Sequence, residues 1–163
     1  MKSDREKRQT LASQMLWLVA LGLLLAGLSV WVSEWLVDMT VSVLWGADKP
    51  SSTLYDFLMN AKAGLSYNRE HHPGIIYGLD WLAFAHIALA ILFAGAAKDP
   101  VKNIWVINCG LIMAVLVTLM AIAFVPIRGL PLIWIAFDCF FALAFIPLWI
   151  ARRQVDFLEN TKD

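Results

Sequence analysis

A chain of 163 residues with 60% hydrophobic and 16% charged positions is far too apolar for a soluble domain, where about 45–50% apolar and about 25% charged residues are usual. Lys plus Arg and Asp plus Glu are equal at 13 each, so no global charge directs the chain to nucleic acid or to an acidic substrate. It belongs to the membrane class, with the lipid bilayer as its surroundings.

The first apolar run, residues 11–33, follows the basic segment MKSDREKR. It exceeds the usual ~7–15 apolar residues of a secretory signal, so a retained anchor is expected. Residues 34–73 form the one sizeable segment outside the spans, an outer cap. Within it, 34–45 fits two patterns: Val41, Val43 and Trp45 alternate as in a strand, while Trp35, Met39 and Val43 suit a continuation of the first helix. Ser51 to Gly64 opens on capping residues, ends on glycine and places Leu54, Phe57, Leu58, Ala61 and Leu65 on one face, which predicts an amphipathic helix. The next stretch, Tyr67 to Gly74, reads as an irregular polar loop. Glu70, His71 and His72 lie side by side there, but no second ligand pair at a recognised spacing follows, so no metal site is expected.

Three more runs are long enough to cross ~30 Å of hydrocarbon: 74–97, 100–125 and 131–150. Asp99-Pro100 and Leu130-Pro131 mark the last two starts, with proline at the first helical position and Asp99 as a cap. The loop from Pro126 to Leu130 is so short that the third and fourth spans must be antiparallel neighbours. Pro147 removes one N–H from the fourth span and frees the carbonyl four residues earlier, a structural kink. Cys109 and Cys139 lack CxxC spacing and read as packing residues.

Of the 13 Lys and Arg, nine share one side: Lys2, Arg5, Lys7, Arg8, Lys98, Lys102, Arg152, Arg153 and Lys162. Lys49, Lys62, Arg69 and Arg128 are left for the other, so both termini are expected in the cytoplasm, in a plasma or bacterial inner membrane. The tryptophans divide the same way, Trp17, Trp105 and Trp149 inside against Trp31, Trp35, Trp81 and Trp134 outside. The expected fold is an all-α integral membrane protein, a single domain of four transmembrane helices in an up-down bundle with a short outer amphipathic helix.

Four polar side chains inside the spans form the candidate site: Asp80, His86, Thr118 and Asp138, with Arg128 in the adjacent loop as support. Small residues mark helix contacts, and His86 falls on the side of Ala83, Ala90 and Ala97, while Asp138 shares its side with Cys139 and Ala142. By rise per residue, Asp80, Thr118 and Asp138 fall in the outer third and His86 nearer the middle. Charge at such depth needs a partner, and Arg128 can reach down along its aliphatic stem. Asn108, toward the inner end, reads as a hydrogen-bonding link between helices.

No motif of hydrolytic, phosphate-binding or haem chemistry is present, and no cofactor is expected. Three functions fit the pattern. The leading one is a non-enzymatic accessory or assembly component acting by helix–helix association with a second copy or a membrane-protein partner. The second is an oligomeric ion- or proton-coupled transporter or channel using Asp138 and His86, since imidazole exchanges protons near neutral pH. The third is a membrane-embedded enzyme on a lipid.

Overall fold

Ser3 and Glu6 cap the first helix reciprocally: Ser3 Oγ accepts from the Glu6 N–H at 3.3 Å, and Glu6 Oε2 accepts from the Ser3 N–H at 2.9 Å. In the computed structural model, residues 3–46 and 50–160 are described, Phe137 by its backbone alone; Lys2, Lys49, Lys162 and the 47–49 portion of the cap lie outside the described residues. Among the described residues seven helices follow in order: α1 Asp4–Trp31, α2 Ser33–Trp45, α3 Thr53–His71, α4 Pro73–Lys98, α5 Ile104–Ile127, α6 Ile133–Ala142 and α7 Phe145–Asn160. No strand occurs among the described residues. Four stretches, Asp4–Trp31, Pro73–Lys98, Ile104–Ile127 and Ile133–Asn160, are long and apolar enough to cross a membrane, as the four expected spans require.

Several boundaries differ from expectation, beginning with α1, which starts at Asp4 and not at residue 11. Residues 34–45, whose pattern fits both a strand and a helix, are helix α2, set off from α1 only by Val32. The cap helix runs past Gly64 to His71, so Tyr67 to His71 is helical and not an irregular loop. Its start is as expected: Ser52 Oγ accepts from the Tyr55 N–H at 3.1 Å. Pro73 then opens α4 at the position where a missing N–H costs nothing.

The third span begins at Ile104 instead of Pro100, because Asp99 caps a separate turn: its Oδ1 accepts from the Lys102 N–H and its carbonyl from the Asn103 N–H, both at 3.2 Å. The fourth span is two helices. Pro147 has no N–H to offer the Leu143 carbonyl, and the chain turns at Leu143–Ala144. The Leu143 carbonyl is taken instead by the Ile146 N–H at 3.1 Å, and Leu143 and Ala144 bond back only three residues, in the tighter winding of a 3₁₀ turn. α7 continues to Asn160, beyond the expected end at 150.

α5 ends in a two-bond glycine cap. Leu130 N–H donates to the Val125 carbonyl and Gly129 N–H to that of Pro126, both at 3.0 Å, with Gly129 at φ 64°. A side chain is strained in that left-handed conformation, so Gly129→Ala is expected to cost about 1 kcal/mol, read as a lowered unfolding midpoint in mixed micelles.

The chain divides into two compact units, Met1–Gly22 with Leu89–Asp163, and Leu23–Ala88. The first unit holds most of the core. Leu16, Phe93, Ile107, Leu148 and Leu158 are almost wholly buried there, and α5 packs on both α6 and α7. A Cβ added at Gly110 would fall 2.7 Å from Phe93 Cζ and 3.0 Å from Leu148 Cδ1, so this glycine makes room for both. Polar contacts lace the same unit: Ser13 Oγ donates to the Ala97 carbonyl at 2.7 Å, Arg8 to Gln154 Oε1 at 3.0 Å, and Arg152 Nε to Asn108 Oδ1 at 2.8 Å. Asn108 thus links α5 to α7, the role read for it. Arg8 also lies 3.7 Å over the Phe157 ring.

The second unit pairs α2 with α3 as an antiparallel hairpin. Trp45 meets Tyr55 edge to face at 5.6 Å, Lys62 pairs with Asp38, and Glu34 lies against Ser66 and Arg69. Phe57 is the buried residue of α3, with Leu54, Leu58, Ala61 and Leu65 half-buried beside it. At Gly27, α1 touches α4 so closely that an added Cβ would stand 2.8 Å from the Ala83 carbonyl oxygen.

Candidate functional site

Asp80 is the candidate residue with the most developed surroundings. It lies in the second turn of α4, where Trp31 at the end of α1 donates its indole N–H to Asp80 Oδ1 at 2.9 Å. An indole N–H in a largely apolar setting needs an acceptor, and the Asp80 carboxylate supplies it. Two cavities open on the carboxylate. The larger, of about 290 Å³, is lined by Val30, Trp31, Ser33, Leu65, Arg69, Ile76, Leu79 and Asp80. The smaller, of about 210 Å³, is a groove on the outside of α4 between Tyr77, Asp80, Trp81 and Phe84.

His86 lines neither of these cavities. It is half-buried, with Nδ1 2.8 Å from the Leu82 carbonyl one turn back, a contact in which a protonated Nδ1 donates. Its Cβ also stands 3.2 Å from the place an added Gly27 Cβ would take, so it borders the α1–α4 contact.

In the other unit, Thr118 Oγ donates to the Ala114 carbonyl at 3.1 Å, which satisfies the hydroxyl within its own helix. Arg128 is exposed and closes α5 through its backbone N–H, donated to Phe124 at 2.9 Å. Asp138 is half-buried on α6. Among the described residues, no hydrogen bond or ion pair joins Thr118, Arg128 and Asp138. Cys109 is exposed and Cys139 half-buried, so neither is a core packing residue.

Glu70, His71 and His72 are exposed, and His71 is held to its own helix by a 3.0 Å contact with the Tyr67 carbonyl and by stacking on the Tyr67 ring at 4.3 Å. Among the described residues, no three His, Cys, Asp or Glu side chains gather as metal ligands.

The chain matches no protein-family model, no curated protein and no solved structure. Any role for these residues therefore rests on their chemistry and placement alone.

The ion pairs of α2 and α3 were missed from sequence. Arg69 Nη2 lies 2.9 Å from Glu34 Oε1, close enough for an ion pair but without the alignment of a hydrogen bond. A signal existed: Glu34 and Asp38 are spaced i, i+4, and Lys62 and Arg69, of the opposite charge, are spaced i, i+7 with the hydroxyl of Ser66 between them. Two short helical faces of opposite sign on either side of a turn are the pattern of a zipped hairpin.

Proposed function

We propose that the protein is a single membrane domain of four spans in up-down order, with both termini cytoplasmic and the α2–α3 hairpin outside. In this reading it is a non-enzymatic accessory or assembly component acting by helix–helix association. The observation that carries it is the pair of faces on α4. On one, Ala83 meets Gly27 at backbone contact. On the opposite side Gly74, Gly78, Ala85 and Ala88 are all exposed, and a Cβ added at Gly74 or Gly78 would meet nothing within 4 Å. Gly74 and Gly78 stand in GxxxG spacing, which lets two helix backbones approach in a lipid environment that gives little other drive to associate. α4 therefore offers, around the exposed Trp81 ring, a second surface of small residues like the one that already holds α1.

The test is the assembly state after mild extraction from the native membrane. Wild-type protein is expected in a complex with a membrane-protein partner or a second copy. Gly74→Ile with Gly78→Ile is expected to release the monomer without lowering its thermal midpoint, because both positions are open within the chain. A wild type that is monomeric throughout, or a double variant that stays assembled, would refute the association. Topology is checked separately by cysteine labelling in whole cells: a cysteine at Lys98 reached by an impermeant reagent from outside would overturn the orientation.

A further inference from the structure

The two cavities that meet at Asp80 carry an inference beyond the association reading, on an adjoining part of α4. We propose that they form a binding site for an aminophospholipid, a lipid whose head carries both a phosphate and a primary ammonium. Arg69 would receive the phosphate, Asp80 the ammonium, and the groove of Tyr77, Trp81 and Phe84 the first part of an acyl chain.

The level is right for a lipid head. Val30 and Trp31 are the last residues of α1, and Ile76, Leu79 and Asp80 lie in the first two turns of α4. The cavity therefore stands where two apolar helices end, the depth at which hydrocarbon gives way to head groups. Its volume, about 290 Å³, lies at the lower edge of the ~300–1,000 Å³ usual for small-molecule pockets, so it accommodates a head and not a whole lipid.

The charges select which head. Arg69 Nη2 is paired with Glu34 Oε1 at 2.9 Å, and the remaining N–H groups of its planar guanidinium, for which no hydrogen bond is found among the described residues, can meet phosphate oxygens. Asp80 Oδ1 is taken by Trp31, and among the described residues Oδ2 meets no donor. Arg69 brings one positive charge, Asp80 and Glu34 two negative ones, so the surroundings hold one negative charge in excess. That excess disfavours an anionic lipid, which brings phosphate alone, and favours a head that adds a cation. A primary ammonium also has N–H donors for Oδ2, which a quaternary head lacks.

The groove argues for a lipid over a free aminophosphate. Tyr77, Trp81 and Phe84 follow i, i+4, i+7 along α4, from one turn before Asp80 to one turn beyond it, touching edge to face at 6.2 Å and 5.8 Å. All three rings remain more than half exposed, so an apolar track passes the carboxylate and continues through Trp81 and Phe84 toward the hydrocarbon.

The test is native mass spectrometry of the full chain released from micelles that contain equal amounts of phosphatidylethanolamine, phosphatidylcholine and phosphatidylglycerol. Preferential retention of one phosphatidylethanolamine is expected. Asp80→Asn keeps an oxygen for the Trp31 N–H but loses the charge, and Arg69→Gln loses the phosphate ligand. Each should weaken retention roughly tenfold or more, the effect of one charge-assisted hydrogen bond. Ile76→Trp, which fills the cavity without touching either charge, should do the same, and thermal midpoints show that the variants fold. Equal retention of all three lipids, or folded variants that retain the lipid as the parent does, would overturn the site. Displacement of the lipid by an equal concentration of free phosphoethanolamine would refute the lipid and leave the soluble aminophosphate as ligand.

Discussion

Gly27→Leu is expected to lower the stability of the protein in mixed micelles by at least about 2 kcal/mol, the largest loss from a single added side chain in α1. A Cβ at this position would meet the Ala83 carbonyl oxygen at 2.8 Å, Ile87 Cγ1 at 3.1 Å and His86 Cβ at 3.2 Å. The nearest of these is backbone, and backbone cannot rotate aside. The helices would have to separate, and close packing is most of what holds helices together in a bilayer, where lipid and leucine are equally apolar. Even Gly27→Ala should destabilise. Gly22, one and a half turns earlier in α1, supplies the control, since a Cβ there meets nothing within 4 Å. Gly22→Ala should be neutral or stabilising by up to about 1 kcal/mol through helix propensity. The same substitution in the same helix thus changes sign with its surroundings. Equal responses at the two positions would show that α1 and α4 do not meet at Gly27.

The four spans were legible in the sequence because their signal is cumulative: some twenty apolar residues outweigh any single misplaced group. The joints were less so. At Asp99 the capping chemistry was read correctly but attached to the wrong helix, since an aspartate before proline caps an isolated turn as readily as a long helix. Pro147 was seen to free the Leu143 carbonyl, yet whether a helix bends or breaks there depends on which neighbouring N–H takes that carbonyl, and here Ile146 does. The Tyr67 to His71 stretch looked like a loop because its residues are polar. It is helical: the His72 N–H closes on the Asn68 carbonyl at 2.8 Å, and the polar side chains of Asn68 and His71 turn back onto carbonyls of the same helix.

The candidate site was legible residue by residue but not as an arrangement. Depth along a helix follows from counting, so Asp80 could be placed near a span end. Its partner could not be found in that way. Trp31 was read as a marker of the interface, and nothing in forty-nine positions of separation says that its N–H meets this carboxylate. Thr118 illustrates the opposite limit. A hydroxyl in a helix can always bond to the carbonyl four residues back, so a polar residue at depth needs no partner on another helix.

Gly110 offers a second large effect and a way to separate packing from helix propensity. Gly110→Ala places a methyl 2.7 Å from Phe93 Cζ and 3.0 Å from Leu148 Cδ1. Both are side-chain ends, which on a surface would swing aside. Here Phe93 and Leu148 are each only 2% exposed, so neither has space to move into. The expected cost is about 1–3 kcal/mol, the usual penalty of an overfilled core. Phe93→Leu removes the ring atoms that would be struck, at its own cost in lost contacts. In that background Gly110→Ala should cost at least about 1 kcal/mol less than in the parent, since the two positions touch and their effects cannot add. Helix propensity predicts no such difference, because alanine favours α5 equally whatever residue 93 is. If Gly110→Ala had the same effect in both backgrounds, Phe93 would not be the residue for which α5 keeps a glycine, and the fit of α4, α5 and α7 around that ring would be wrong.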